Sequence, residues 1–112
     1  MKIEYKYKAK VTNIVDGDTV DATIDLGFRM TTTQRLRLIG IDCAELNAKD
    51  PVEKEKAQYA KAYLEGRILN QNVIIETHKS DSFGRYLADI WFYDTNINQE
   101  LISLGYAKEY MK

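Results

Sequence analysis

The chain has 112 residues, enough for one domain that buries roughly 65% of its unfolded surface and stands without disulfide or metal staples. Apolar residues make up 45% and charged residues 29%, which excludes disordered and fibrous classes, and the single cysteine excludes an internal disulfide or a multi-cysteine metal site. A net charge of −1 excludes the broad basic field of a strong nonspecific nucleic-acid binder, so any such affinity must come from a local patch. No apolar stretch approaches the ~20 residues of a membrane helix, and the start MKIEYKYKAK lacks an apolar signal core. The expectation is no membrane association and a cytoplasmic default, with a secreted mature form also compatible.

From Tyr5 to Val11, Tyr5, Tyr7, Ala9 and Val11 alternate with Lys6, Lys8 and Lys10, the period-two signature of a half-buried strand that Ile14 and Val15 continue. Asp16-Gly17 predicts a hairpin turn through its tolerance of positive φ, and a second strand follows in which Val20, Ala22 and Ile24 alternate with Asp21, Thr23 and Asp25. Gly27 ends it. A third strand, 34–41, carries Leu36 and Leu38 on one face and Arg35 and Arg37 on the other, and runs into a polar stretch from Asp42 to Asp50.

The period then changes. Asp50 before Pro51, with Glu53 three residues on, predicts a helix start: a carboxylate cap, a proline where its missing N–H is harmless, and a capping-box acid. Ala57, Ala60, Leu64 and Ile68 give one apolar stripe, so the helix is expected to run to about Asn70. The β-branched and aromatic segments 73–76 and 87–93 predict two more strands, joined by the turn-rich KSDSFG. A second helix is predicted over 97–104, capped by Asn96 and stopped by Gly105. The order βββαββα, five short strands with a helix after the third, predicts an α+β, mainly β fold: a small barrel of the five-stranded oligonucleotide/oligosaccharide-binding (OB) type, in a single domain over 1–112. A ferredoxin-like sheet has a different order.

Five charged residues punctuate the ends of apolar runs: Asp18, Arg37, Asp42, Glu45 and Arg85. Asp18 follows a tight turn and Asp42 ends a strand, so a barrel that pairs those strands can bring the carboxylates together. Acids and arginines recurring together suggest a hard cation beside a phosphate. A guanidinium fork matches two equatorial oxygens of a phosphoryl transition state, where a lysine matches one. Taken singly, each residue has a plainer role: Asp16 and Asp18 as hairpin caps, Glu45 as a loop acid, the arginines as surface partners of acids. That plainer role is preferred for Arg35 and Arg67.

The segments VDGDTV, RLRLIGIDCAE and DSFGRYLADIWF, in this order and with a helix between the last two, resemble the staphylococcal nuclease (thermonuclease) family over nearly the whole chain. The resemblance implies a five-stranded barrel, Ca²⁺ as cofactor, and DNA and RNA as substrates, with preference for single-stranded or unpaired regions and 3′-phosphate ends. It implies Asp18, Asp42 and the main-chain carbonyl of Cys43 as metal ligands, Glu45 beside the attacking water, and Arg37 and Arg85 on the phosphate. The sequence departs from the pattern at Cys43-Ala44, where the family commonly has threonine and proline, and at Phe83, where a tyrosine often contacts a terminal phosphate. Tyr110 is the expected substitute for a stacking tyrosine. Two rival readings are a noncatalytic OB-fold nucleic-acid-binding module, disfavoured by the full set of charged residues, and a nucleophilic Cys43, disfavoured because the only histidine, His78, lies in a separate strand. No protein partner is inferable.

Overall fold

A computed structural model describes residues 4–80 and 86–110. Five long strands form the body: β1 (Lys6–Asp16), β2 (Thr19–Gly27), β3 (Met30–Leu38) and, after three shorter elements are set aside, β5 (Asn72–Ser80) and β6 (Tyr86–Phe92). The short elements are the two-residue bridges β4 (Ile41–Asp42), β7 (Thr95–Asn96) and β8 (Lys108–Glu109). Helices α1 (Pro51–Ile68) and α2 (Ile97–Ser103) complete the chain.

The sheet order is β3-β2-β1-β5-β6, and a parallel pairing of β3 with β6, from Leu36↔Tyr86 to Leu38↔Ala88, closes it into a five-stranded barrel. Inward-facing Val11, Val20, Ala22, Leu36, Leu38, Ile75, Ala88 and Ile90 are fully buried and fill it. The expected alternation of β1 is interrupted: a register shift between Val11 and Asn13 resets the parity, which turns Ile14 into the core.

The capping signals of both helices are realised. The Asp50 carboxylate accepts a hydrogen bond from the Val52 N–H, and α1 buries Ala57, Ala60, Leu64 and Ile68, the stripe expected from the sequence. Asn96 caps α2 by accepting from Gln99 N–H, and Gly105, at φ +83°, follows its end. The predicted third strand 34–41 is in fact two elements. It breaks after Leu38 because Gly40 turns at φ +81°, and the chain re-pairs at Ile41–Asp42 with β8. Buried Asn98 fixes that turn: its amide donates to the carbonyls of Ile39 and Ala88, at 2.9 and 3.0 Å, and its oxygen accepts from the Ile90 N–H.

Candidate functional site: an acid–arginine cluster at the strand ends

The β1–β2 hairpin pairs Asp16 with Thr19, so Gly17 and Asp18 form its two-residue tip. Gly17 is not in the left-handed region, contrary to the positive-φ role expected of it. Close approach is what this position requires. A Cβ there would lie 2.7 Å from Cβ of Ala60 on α1 and 3.0 Å from Sγ of Cys43. The helix therefore presses the hairpin tip against the segment that follows β4.

That contact seats Asp18. One oxygen of its buried carboxylate accepts from the backbone N–H of Cys43 at 3.1 Å and the other from the Thr19 hydroxyl at 3.1 Å, while its own N–H donates to Asp16 Oδ1 at 3.0 Å. Arg37 stands opposite Thr19 in the β2–β3 ladder. Its Nη1 donates to the Leu38 carbonyl at 2.8 Å, and Nη2 lies 3.5 Å from Asp18 Oδ2 and 3.5 Å from Asp42 Oδ1. The structure thus brings Asp18, Arg37 and Asp42 together, with the Cys43 peptide against Asp18. Glu45 is exposed in the loop after Asp42, where its carbonyl accepts from Ala48 N–H, and among the described residues its carboxylate has no partner. Arg85 and Phe83 lie outside the described residues. Tyr110 follows the β4–β8 bridge: its N–H donates to the Gly40 carbonyl at 2.9 Å, and its side chain is exposed.

Among the described residues, Arg37 is the cation that forms ion pairs with Asp18 and Asp42, and Lys108 stands opposite Asp42 in the β4–β8 bridge. Burial, and then the neighbouring Asp16 carboxylate, push Asp18 up to about 6, against the opposing pull of Arg37 and the Cys43 N–H. Such a carboxylate gains from a cation, and the donor set of carboxylate oxygens is of the hard type that Ca²⁺ takes. Asp16, which the sequence predicts only as a turn residue, acts on Asp18 through its charge and its hydrogen bond; an acid two positions before another at a hairpin tip is the signal for it. Asn98, which holds the Ile39–Gly40 turn leading into Asp42, leaves one trace in the sequence, a polar residue on an otherwise apolar helix face between Ile97 and Leu101.

Cys43 is no nucleophile here. Its thiol is buried, donates to the Gly17 carbonyl at 3.1 Å, and is pushed up to about 12 by burial and by the charges of Asp18, Asp16 and Asp42. His78 instead lies beside Asp89.

A closed five-stranded barrel with an acid–arginine cluster where its strands end is an OB-like architecture with a site suited to a cation and a phosphate. The family model described as staphylococcal nuclease homologue matches residues 35–112, and the chain belongs to the staphylococcal nuclease family. Similar relatives include an uncharacterized protein of Methanocaldococcus jannaschii, 33% identical over 94% of this chain and 60% of that protein. A thermonuclease of Staphylococcus hyicus is 33% identical over 88% of this chain and 57% of its own length, and the endonuclease Htp3 of Saprolegnia parasitica is 28% identical over 96% and 57%. The chain spans less than two thirds of each of these relatives. Among the described residues, no helix is long and apolar enough to cross a membrane.

Proposed function

We propose that the chain is a Ca²⁺-dependent nuclease that hydrolyses phosphodiester bonds of single-stranded or unpaired DNA and RNA and leaves 3′-phosphate ends. The observation that carries this reading is Arg37 Nη2 shared between Asp18 and Asp42, 3.5 Å from each, which gathers two carboxylates around one guanidinium. Asp18, Asp42 and the Cys43 carbonyl would hold the cation. Calcium, when bound, supplies positive charge against the scissile phosphate. Arg37 then has its remaining N–H groups for the equatorial oxygens, whose negative charge grows as the phosphorus becomes pentacoordinate. Arg85 is the second such donor by its motif. Glu45, exposed and unpartnered among the described residues, takes the proton of the attacking water. The bond to the 5′ oxygen breaks, that oxygen is protonated by solvent, and the phosphate stays on the 3′ side.

Incubation with single-stranded DNA in Ca²⁺ and in excess chelator tests this. Cleavage in the first and none in the second, with product ends that block ligation until a phosphatase removes the 3′-phosphate, is the expected result. Binding without cleavage in Ca²⁺ would make the chain a noncatalytic nucleic-acid module.

A further inference from the structure

On the outer face of the barrel, away from the residues above, Glu76 and His78 project from β5 and Asp89 from β6. One ligand atom from each of the three lies within 4.8 Å of the other two. Glu76 and Asp89 are direct cross-strand partners, an arrangement of like charges that ordinarily destabilises a sheet. Lys6 is opposite Glu76 on the other side, yet its ammonium is bonded to Glu4 at 3.4 Å. His78 Nε2 stands 3.1 Å from Asp89 Oδ2, and Asn96 donates to Asp89 Oδ1 at 3.2 Å, holding the carboxylate with its other oxygen toward the imidazole. A carboxylate pinned in this manner has the outer-shell support typical of metal ligands.

We propose that Glu76, His78 and Asp89 form a second metal site, for Zn²⁺. One imidazole and two carboxylates match the nitrogen and oxygen donors of zinc, and three protein ligands leave a fourth position for water. Bonds of about 2.0–2.2 Å put tetrahedral ligand atoms roughly 3.3–3.6 Å apart, so the set has to contract by about 1 Å, within reach of side-chain rotation, with Glu76 and Asp89 on a paired rung and His78 where the β5–β6 register shifts. A histidine ligand disfavours Ca²⁺, which binds oxygen, and so distinguishes this site from the all-oxygen cluster at Asp18 and Asp42. The zinc cation would offset both facing carboxylates, with Nε2 giving its lone pair to the metal in place of a hydrogen bond to Asp89.

The test is calorimetric titration of the untagged, chelator-treated full chain with Zn²⁺, with Co²⁺ absorption as a report of geometry. One equivalent is expected to bind, and His78→Ala to weaken it more than about 100-fold, beyond the ~10- to 100-fold cost of losing an outer-shell partner alone. Glu76→Gln should weaken it about tenfold or more, whereas Asp42→Asn and Cys43→Ser should bind as the parent does. Absence of zinc binding by the parent, or His78→Ala binding equally well, overturns the proposal. Because His78 is the only histidine, its ring-proton resonances give a check that needs no variant: they should shift with one equivalent of Zn²⁺, and resonances that stay in place overturn the site.

Discussion

Arg67 on α1 meets Glu100 on α2 through two hydrogen bonds, 2.8 Å from Nε and 3.2 Å from Nη2, while the Tyr63 hydroxyl donates to the same carboxylate. Its guanidinium also lies over the Phe92 ring, 5.0 Å from the centroid. Arg37, by contrast, is spread between two acids at 3.5 Å, in a cluster that Asp16 makes more negative still. The residue types are the same in both places. Around Arg67 one carboxylate meets one guanidinium at hydrogen-bond distance, and the product is a clasp between helices; among the described residues, Arg37 is shared at longer range between two acids. The proposed function assigns the first arginine to structure and the second to the site.

The largest effects should come from the Arg37 cluster. Glu45→Gln, which keeps size but cannot accept a proton, should lower kcat by ~10²- to 10⁴-fold at saturating Ca²⁺, and Asp18→Asn and Asp42→Asn should cut cleavage of single-stranded DNA severely. A parent-like rate for Glu45→Gln would make that carboxylate an ordinary loop acid. Arg37→Lys keeps the charge but loses the fork, and should lower kcat by ~10²- to 10³-fold with KM little changed, whereas Arg67→Lys should leave kcat as it is. Equal losses in the two lysine variants would erase the distinction.

Stability in excess chelator should separate the clusters by sign. Glu100 is held below its ordinary 4.5, first by its hydrogen bonds from Arg67, so its contribution is present above that value and is lost as pH falls through the lower folded one. Glu100→Gln should therefore cost about 0.5–1 kcal/mol at neutral pH, and its difference from the parent should close in acid. Asp18 is held above its ordinary 3.8, at about 6, so the folded state binds its proton more tightly and the parent loses stability as pH rises from one value to the other. Asp18→Asn should then be the more stable protein at pH 7, by on the order of 1 kcal/mol, with the gap opening between those pH values. Urea midpoints across pH measure both. The smallest effect expected is in binding. With two or three phosphate contacts the log–log salt slope for single strands should be roughly −1.4 to −2.1, and a steeper slope would reveal a basic groove elsewhere.

Much of this was legible in the sequence because it is written in local signals. The alternation of Val20, Ala22 and Ile24, the Asp50-Pro51 start and the Asn96 cap each depend on a few neighbours, and each element stands where expected. The ordinary pairing expected of Arg35 and Arg67 is also present, with Asp21 and Glu100 as the partners. What could not be read is long-range: the parallel β3–β6 pairing, the pressure of Ala60 on Gly17, and the reach of Asn98 across to Ile39. The β2–β3 ladder alone sets Arg37 beside Asp18, whereas the seating of the hairpin tip against Cys43 goes with the Ala60–Gly17 contact. No periodicity encodes a contact between a helix and a hairpin tip some forty residues earlier.

The closing seam of the barrel has a kinetic consequence. Leu36 and Tyr86 are fifty positions apart along the chain, and Arg37 pairs with Leu87 in the middle of the three-rung seam that joins them. The β1–β2–β3 meander needs only short loops to form, but the seam requires closure of a segment that includes all of α1, which delays it. The meander already sets Arg37 opposite Thr19, so what waits for the seam is the docking of β6 against β3. Pulse-labelling hydrogen exchange should find the β1–β2 amides protected before those of the seam, and cleavage should return with the second phase.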